Sequence, residues 1–311
     1  MADSRFVTMN NGVQHPLIGF GTYKIGFVPA SSNTAGVAGH APDQDPKDII
    51  KAAITTGYRY IDCAQFYGNE KMVGQALAEC GVPRAELFLV SKVWGDKIYE
   101  GGAAIRQQLE TTLADLGTDY LDSYLVHWPV PGNHVAAYQT LEALLDEGKV
   151  RSIGVSNYTI EDYQALAAVM RIKPVINQIE INPFLYRRNT IEFFQKEGVV
   201  LQSYRALRQG KAMDHPLIVA IAAKHARTPA QVLGRWCVQK GIVVVAKSAR
   251  LERMRENMGI FDFALSPEDE AALDALTTPD SLQEFKQLYD KCIIRDTPLG
   301  PDVVPSAYTI D

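Results

Sequence analysis

Four residues stand out for the chemistry their types and spacing allow: Asp62, Tyr67, Lys92 and His127. In "YRYIDCAQFYGNE", Tyr58 to Glu70, an acid closes an apolar strand-like run and a phenol follows five residues later. Lys92 ends the run "LFLVSK" and His127 ends "YLDSYLVH". Singly, each has a plain structural explanation, since an Asp caps turns, a Lys is usually solvated and a His is more often a satisfied core residue than a catalyst. Brought to one rim they gain a chemical use. A desolvated ammonium near Tyr67 favours the phenolate and lowers the phenol's pKa, which makes it an acid. A carbonyl that receives a hydride builds negative charge on oxygen, so it needs a proton donor there and hydrogen-bond donors around it. In that scheme Tyr67 gives the proton, Lys92 tunes it, Asp62 holds Lys92 charged and His127 orients the carbonyl. No side chain delivers hydride, so a nicotinamide cofactor is required.

Such convergence needs an architecture that gathers strand ends. Strand-like runs occur at Pro16–Thr22, Tyr58–Asp62, Leu87–Lys92, Tyr120–His127, Val150–Ser156, Val175–Glu180, Val199–Tyr204 and Ile242–Ala246. Between them, helical spacing appears at Pro46–Thr56, Glu70–Glu79, Ala103–Leu116, Val135–Glu147, Ile160–Val169, Thr190–Lys196 and Pro216–Lys224. Eight strands, each followed by a helix, predict a (β/α)8 TIM barrel in a single domain, residues 1–311, with active residues at the C-terminal strand ends. A doubly wound dinucleotide fold would want G-x-G-x-x-G after the first strand. Gly19, Gly21 and Gly26 have the wrong spacing. Two segments fall outside the repeat: a Gly/Ala/Ser/Pro-rich stretch of about twenty residues after the first strand (27–46), whose length suggests function or mobility, and the tail from Thr277 to Asp311.

Composition narrows the partners. The chain of 311 residues is 47% apolar with net charge −5, enough for a large core and no electrostatic reason to bind nucleic acid or an anionic membrane. The N-terminus lacks a basic segment followed by an apolar core, and no apolar run approaches a membrane span, so a cytoplasmic location is expected. Cys63, Cys80, Cys237 and Cys292 are widely spaced and form no C-x-x-C pair; they read as reduced packing residues, with no metal site expected.

Seven motifs in order, "GFGTYKIG", "GYRYIDCAQFYGNE", "LVSKVW", "YLVHWP", "IGVSNY", "INQIEINP" and "AKSARLERMRENMGIFDF", resemble the aldo-keto reductase superfamily, in the style of its aldose-reductase-like members, from about Gly12 to Leu276. The resemblance implies reduction of aldehydes or ketones with NADPH lying extended across the barrel mouth, and places Asp62, Tyr67, Lys92 and His127 at the catalytic positions. Members that reduce steroid double bonds carry Glu where this chain has His127, which favours carbonyl reduction. By the same resemblance Ser156, Asn157 and Gln178 hold the nicotinamide carboxamide, Tyr204 stacks on its ring, and Thr22 and Tyr23 lie near it. Lys247, Ser248 and Arg253, with Glu256 and Asn257, grip the adenosine 2'-phosphate and adenine, and a cationic pair before a helix N-terminus suits phosphate. The resemblance also leans toward a monomer.

Departures from the pattern carry their own expectations. Where members show a Tyr-Ser-Pro-Leu-Gly type loop after the seventh strand, this chain reads "YRALRQG", Tyr204 to Gly210. Either Arg205 or Arg208 binds pyrophosphate by charge-assisted hydrogen bonds, or both are surface residues on a shorter loop that lets cofactor exchange faster. Tyr23, Phe27, Trp94 and Trp128, with His127, suggest an apolar substrate pocket, although aromatic residues equally suit a core. The Pro-rich end of the tail, Cys292 to Asp311, argues against a helix there and could fold over the pocket. Two other classes of function stay open: a cofactor-binding regulatory or structural protein with little turnover, and a Schiff-base enzyme using Lys92.

Overall fold

The computed structural model describes residues 5–32, 36–305 and 308–311. Eight strands, Ile18–Gly21, Tyr60–Asp62, Phe88–Val93, Ser123–Val126, Ile153–Ser156, Ile176–Glu180, Val200–Tyr204 and Val243–Ala246, close into a parallel barrel. Closure comes from the eighth strand pairing the first, with Val245 opposite Gly19. Nearly every strand residue is buried, because helices cover the outer face and side chains fill the interior. The strands begin or end up to three residues inside the predicted runs, as happens where only the ladder-forming core of an apolar run pairs, except that the third runs one residue past its run, to Val93.

The helices follow their end signals. Pro46–Thr56 starts where the Asp45 side chain accepts from the Lys47 N–H and stops at Gly57, whose left-handed φ of 115° lets its N–H reach the Ala53 and Ile54 carbonyls. Its buried face is Ile49, Ile50, Ala53 and Ile54. The next helix, Glu70–Glu79, lies so close to Gly102–Leu116 that a Cβ on Gly74 would sit 2.1 Å from the Asp115 carbonyl oxygen.

Besides the helix Pro267–Asp274 and the 3-10 turns, four elements escaped the sequence reading. A hairpin of Phe6–Thr8 and Gln14–Pro16 closes the N-terminal end of the barrel, tied by an Asn10 side-chain bond of 2.8 Å to the Pro174 carbonyl just before the sixth strand. Helices Gly95–Glu100 and Pro229–Gln239 were unassigned, the latter carrying a full capping box from Thr228 and Gln231. The fourth, Pro279–Cys292, lies in the tail, with Thr278 as its cap. Beyond Cys292, among the described residues, only a short 3-10 turn, Pro301–Val303, forms, as the prolines there led us to expect.

The tail returns over the mouth side. Phe285, Tyr289, Cys292 and Ile293 make a second apolar cluster with Trp94, Trp128 and Leu185. The Asp311 carboxylate accepts from the backbone N–H groups of Asn189 and Thr190 and from the Thr190 hydroxyl, capping the helix Arg188–Lys196 from a distant part of the chain. The segment after the first strand folds across the ends of the first and eighth strands: Gly39 donates to the Lys24 carbonyl and the Gln44 side chain to the Ala249 carbonyl. Among the described residues no helix is long and apolar enough to cross a membrane.

Candidate active site

The barrel brings the four predicted residues together. Asp62 is the last residue of the second strand, Lys92 lies one residue from the end of the third, and His127 directly follows the fourth. Tyr67 ends a 3-10 turn, Gln65–Tyr67, which Gly68 reverses with φ 64°. Lys92 Nζ lies 2.8 and 2.9 Å from the two Asp62 carboxylate oxygens, 2.8 Å from the Cys63 carbonyl and 3.4 Å from the Tyr67 hydroxyl. Lys92 is 0% and Asp62 2% exposed, so this ion pair is held out of water by full hydrogen bonding.

Electrostatics corrects one expectation. Burial first, then the Asp62 charge, push the Tyr67 phenol well above its ordinary pKa rather than below it, because desolvation penalises a phenolate more than the ammonium at 3.4 Å rewards it. The phenol therefore keeps its proton at neutral pH. Burial, then the Lys92 charge, hold His127 far below the ordinary histidine value, so its ring is neutral. His127 Nδ1 is buried without a hydrogen-bond partner, leaving Nε2 as the nitrogen able to reach a substrate.

A second group forms beside the first. The Ser156 hydroxyl donates to the Gln178 carbonyl at 2.7 Å, and Asn157, held at φ 61°, donates through Nδ2 to the His127 carbonyl at 3.0 Å. Tyr204 donates its hydroxyl to Asn157 Oδ1 at 2.7 Å, and Gln178 donates to Asp62 Oδ1 at 2.7 Å. Thr22 bonds the Asp62 carbonyl, and the Tyr23 ring lies 5.1 Å from that of Tyr67. Apart from Tyr23, which meets Tyr67 ring to ring, these residues form one hydrogen-bonded shelf continuous with Asp62, Lys92 and Tyr67.

Farther along the rim, Lys247 Nζ donates to the Gly39 carbonyl at 2.6 Å. Burial, then the charge of Lys24, lower its pKa to about 8. Ser248 bonds the backbone of Arg250 at the start of the helix Leu251–Met258. On that helix Arg253 is exposed, Glu256 is half-buried and Asn257 is buried. Arg205, with φ 53°, is engaged by Glu180 at 2.9 Å, and Arg208 lies over the Phe184 ring. Arg205 is thus paired with a carboxylate and Arg208 with an aromatic ring.

The aromatic residues divide. Trp94 stands 4.9 Å from the His127 ring and donates its indole N–H to Asp296 of the tail at 2.8 Å, while Trp128 packs edge-on against Tyr289. Both are buried beneath the tail, whereas Phe27 is 54% exposed, its ring near Gly68. Sequence reasoning missed Phe66, which stacks on Trp94 at 4.0 Å, and Asn69, whose amide donates to the Thr22 and Ile25 carbonyls and pins the first-strand loop. Phe66 and Asn69 flank Tyr67 within the same quoted motif, which was the available signal. Among the described residues no group of three or more His, Cys, Asp or Glu could hold a metal ion.

The comparisons agree with this geometry. A family model described as "Aldo/keto reductase family" matches residues 17–278. An oxidoreductase of Bacillus subtilis named YtbE is 38% identical over 274 residues, covering 86% of this chain and 91% of the relative. A glyoxal reductase of the same organism is 39% identical over 271 residues, covering 87% and 92%. Among solved structures, the aldose reductase of Schistosoma japonicum superposes with TM-score 0.78 at 33% identity, covering 88% of this chain and 93% of that one. An aldo-keto reductase of Bombyx mori in complex with NADP gives TM-score 0.79 at 29% identity, covering 89% and 94%. With the family model matched over most of its length and its barrel shared with these enzymes, the chain belongs to the aldo/keto reductase family of oxidoreductases.

Proposed function

We propose that this protein reduces aldehydes or ketones to alcohols with NADPH, Tyr67 being the proton donor. The observation that carries the reading is the Tyr67 hydroxyl 3.4 Å from a Lys92 ammonium whose other hydrogen bonds go to Asp62 and Cys63. The phenol stays protonated until charge develops on a carbonyl oxygen, gives up its proton there, and leaves a phenolate that the adjacent ammonium stabilises. Neutral His127 donates its Nε2–H to aim the carbonyl.

The residues present fit a nicotinamide cofactor: Gln178 commits its amino group to Asp62 and Gln202, and its Oε1 bonds no protein group among the described residues. That acceptor, with Ser156 and Asn157, would hold the carboxamide; Tyr204 would offer its ring face, and Thr22 and Tyr23 would border it. Lys247, Ser248, Arg253, Glu256 and Asn257 would take the 2'-phosphate and adenine, and Arg205 would meet the pyrophosphate. When bound, the cofactor supplies the hydride. Tyr23, Phe66, Trp94 and His127 wall the carbonyl site, suiting a small substrate with an apolar or compact substituent. The family resemblance supports action as a monomer.

The test follows NADPH absorbance with a panel of aldehydes and ketones, compares NADH, and repeats the best case with Tyr67→Phe. Turnover that prefers NADPH and falls by about 10²–10⁴ in the variant is expected. NADPH binding without turnover would replace this reading by that of a cofactor-binding protein.

A further inference from the structure

The barrel interior holds a polar chain that the proton transfer does not explain. Tyr60, Gln202 and His15 are all fully buried, at positions where apolar side chains would avoid desolvating polar groups. Tyr60 lies two residues before Asp62 on the second strand, Gln202 pairs in register with Gln178, and His15 comes from the hairpin that closes the barrel's far end.

Their hydrogen bonds have forced directions. His15 Nδ1 lies 2.7 Å from the Pro16 carbonyl, which can only accept, so Nδ1 carries the ring proton. Burial lowers the His15 pKa to about 4, so the ring is neutral and Nε2 offers only a lone pair. Gln202 Nε2, 2.8 Å away, must therefore donate to it. The Gln202 carbonyl oxygen then turns inward and accepts from Tyr60 at 2.9 Å and from Gln178 Nε2 at 2.9 Å. With Asp62 Oδ1 also accepting from Gln178 Nε2, both acceptors demand the same end of that amide.

We propose that His15, across the barrel from the reacting groups, is a positioning residue. Acting through Gln202, it joins Asp62 in fixing the Gln178 amide so that its carbonyl oxygen, and not its amino group, meets the amino group of the cofactor carboxamide. The inference rests on the nicotinamide reading above. It accounts for buried polar groups that a fully satisfied network makes affordable and orientationally specific.

The probes are NADP+ and its 3-acetylpyridine analogue, in which a methyl group replaces the carboxamide amino group. Binding is read by quenching of tryptophan fluorescence in the wild type, His15→Leu and Gln202→Met, with circular dichroism as the control for folding. The wild type is expected to prefer NADP+ by on the order of tenfold or more, since the analogue leaves the Gln178 oxygen unpaired. In the variants the preference should shrink at least about twofold, since Gln178 Nε2 is then held by Asp62 Oδ1 alone. Nitrogen-15 NMR of the wild type, which needs no variant, should show His15 neutral with its proton on Nδ1. A preference unchanged in a folded variant, or a proton on Nε2, would overturn the inference alone. A wild type that binds neither nucleotide would remove the cofactor reading beneath it.

Discussion

Asp62→Asn is a nearly isosteric change whose cost can be worked from the hydrogen bonds. Asp62 Oδ1 accepts from Lys92 at 2.8 Å and Gln178 at 2.7 Å, while Oδ2 accepts from Lys92 at 2.9 Å. An asparagine keeps one oxygen, which Gln178 requires, so its amino group lands opposite the Lys92 ammonium. Donor then faces donor, and a fully buried cation loses its counter-charge. Breaking a buried pair from one side costs about 3–5 kcal/mol. With an unfolding entropy of about 2.1 cal/mol/K per residue, the chain of 311 residues gains roughly 0.65 kcal/mol/K, so the melting temperature should fall by about 5–8 °C. Differential scanning calorimetry reads this directly. Lys92→Met added to Asp62→Asn removes the stranded cation, so the double variant should lose clearly less than the sum of the two single losses. A fall under about 2 °C, or strict additivity, would refute the reasoning that Asp62 holds a buried charge.

Lys247 has a pKa of about 8, so it sheds its charge as pH rises through that value; affinity for NADPH should weaken several-fold from pH 7 to 9 while affinity for NADH stays flat. Lys247→Arg should abolish the slope, and parallel slopes for both cofactors would exclude Lys247 from the 2'-phosphate. Asp311→Ala removes the acceptor for the helix Arg188–Lys196 and should cost roughly 1 kcal/mol while speeding proteolysis of the tail; tail cleavage at the wild-type rate would count against the capping role. Gly74→Ala would force a Cβ within 2.1 Å of the Asp115 carbonyl oxygen, so a stability loss of about 1–3 kcal/mol by thermal melting is expected, and a neutral result would mean that the two helices separate freely.

Much of the site was legible because the chemistry sits at strand ends and strands announce themselves. The runs ending at Asp62, Lys92 and Ser156 are short, β-branched or aromatic, and bounded by turns, and eight of them with intervening helices admit few architectures besides a closed barrel. Phe66 and Asn69 were missed because stacking on Trp94 and bonding to the Thr22 carbonyl are contacts to residues distant along the chain. The tail helix was missed because its capping box stands on Thr278 and Ser281, next to a proline that also marks loops.

The sequence by itself determined the barrel, the meeting of Asp62, Tyr67, Lys92 and His127 at one rim, and the family, since local propensity and motif order are properties of the chain. Only the tertiary structure decided how those groups behave. It showed that the Tyr67 pKa rises, that Arg205 answers to Glu180, and that Lys247 is engaged by Gly39. It also joined His15 to Asp62 through Gln202 and Gln178. Desolvation and hydrogen-bond direction depend on what surrounds a group in space, and residues 15, 62, 178 and 202 become neighbours only when the barrel closes.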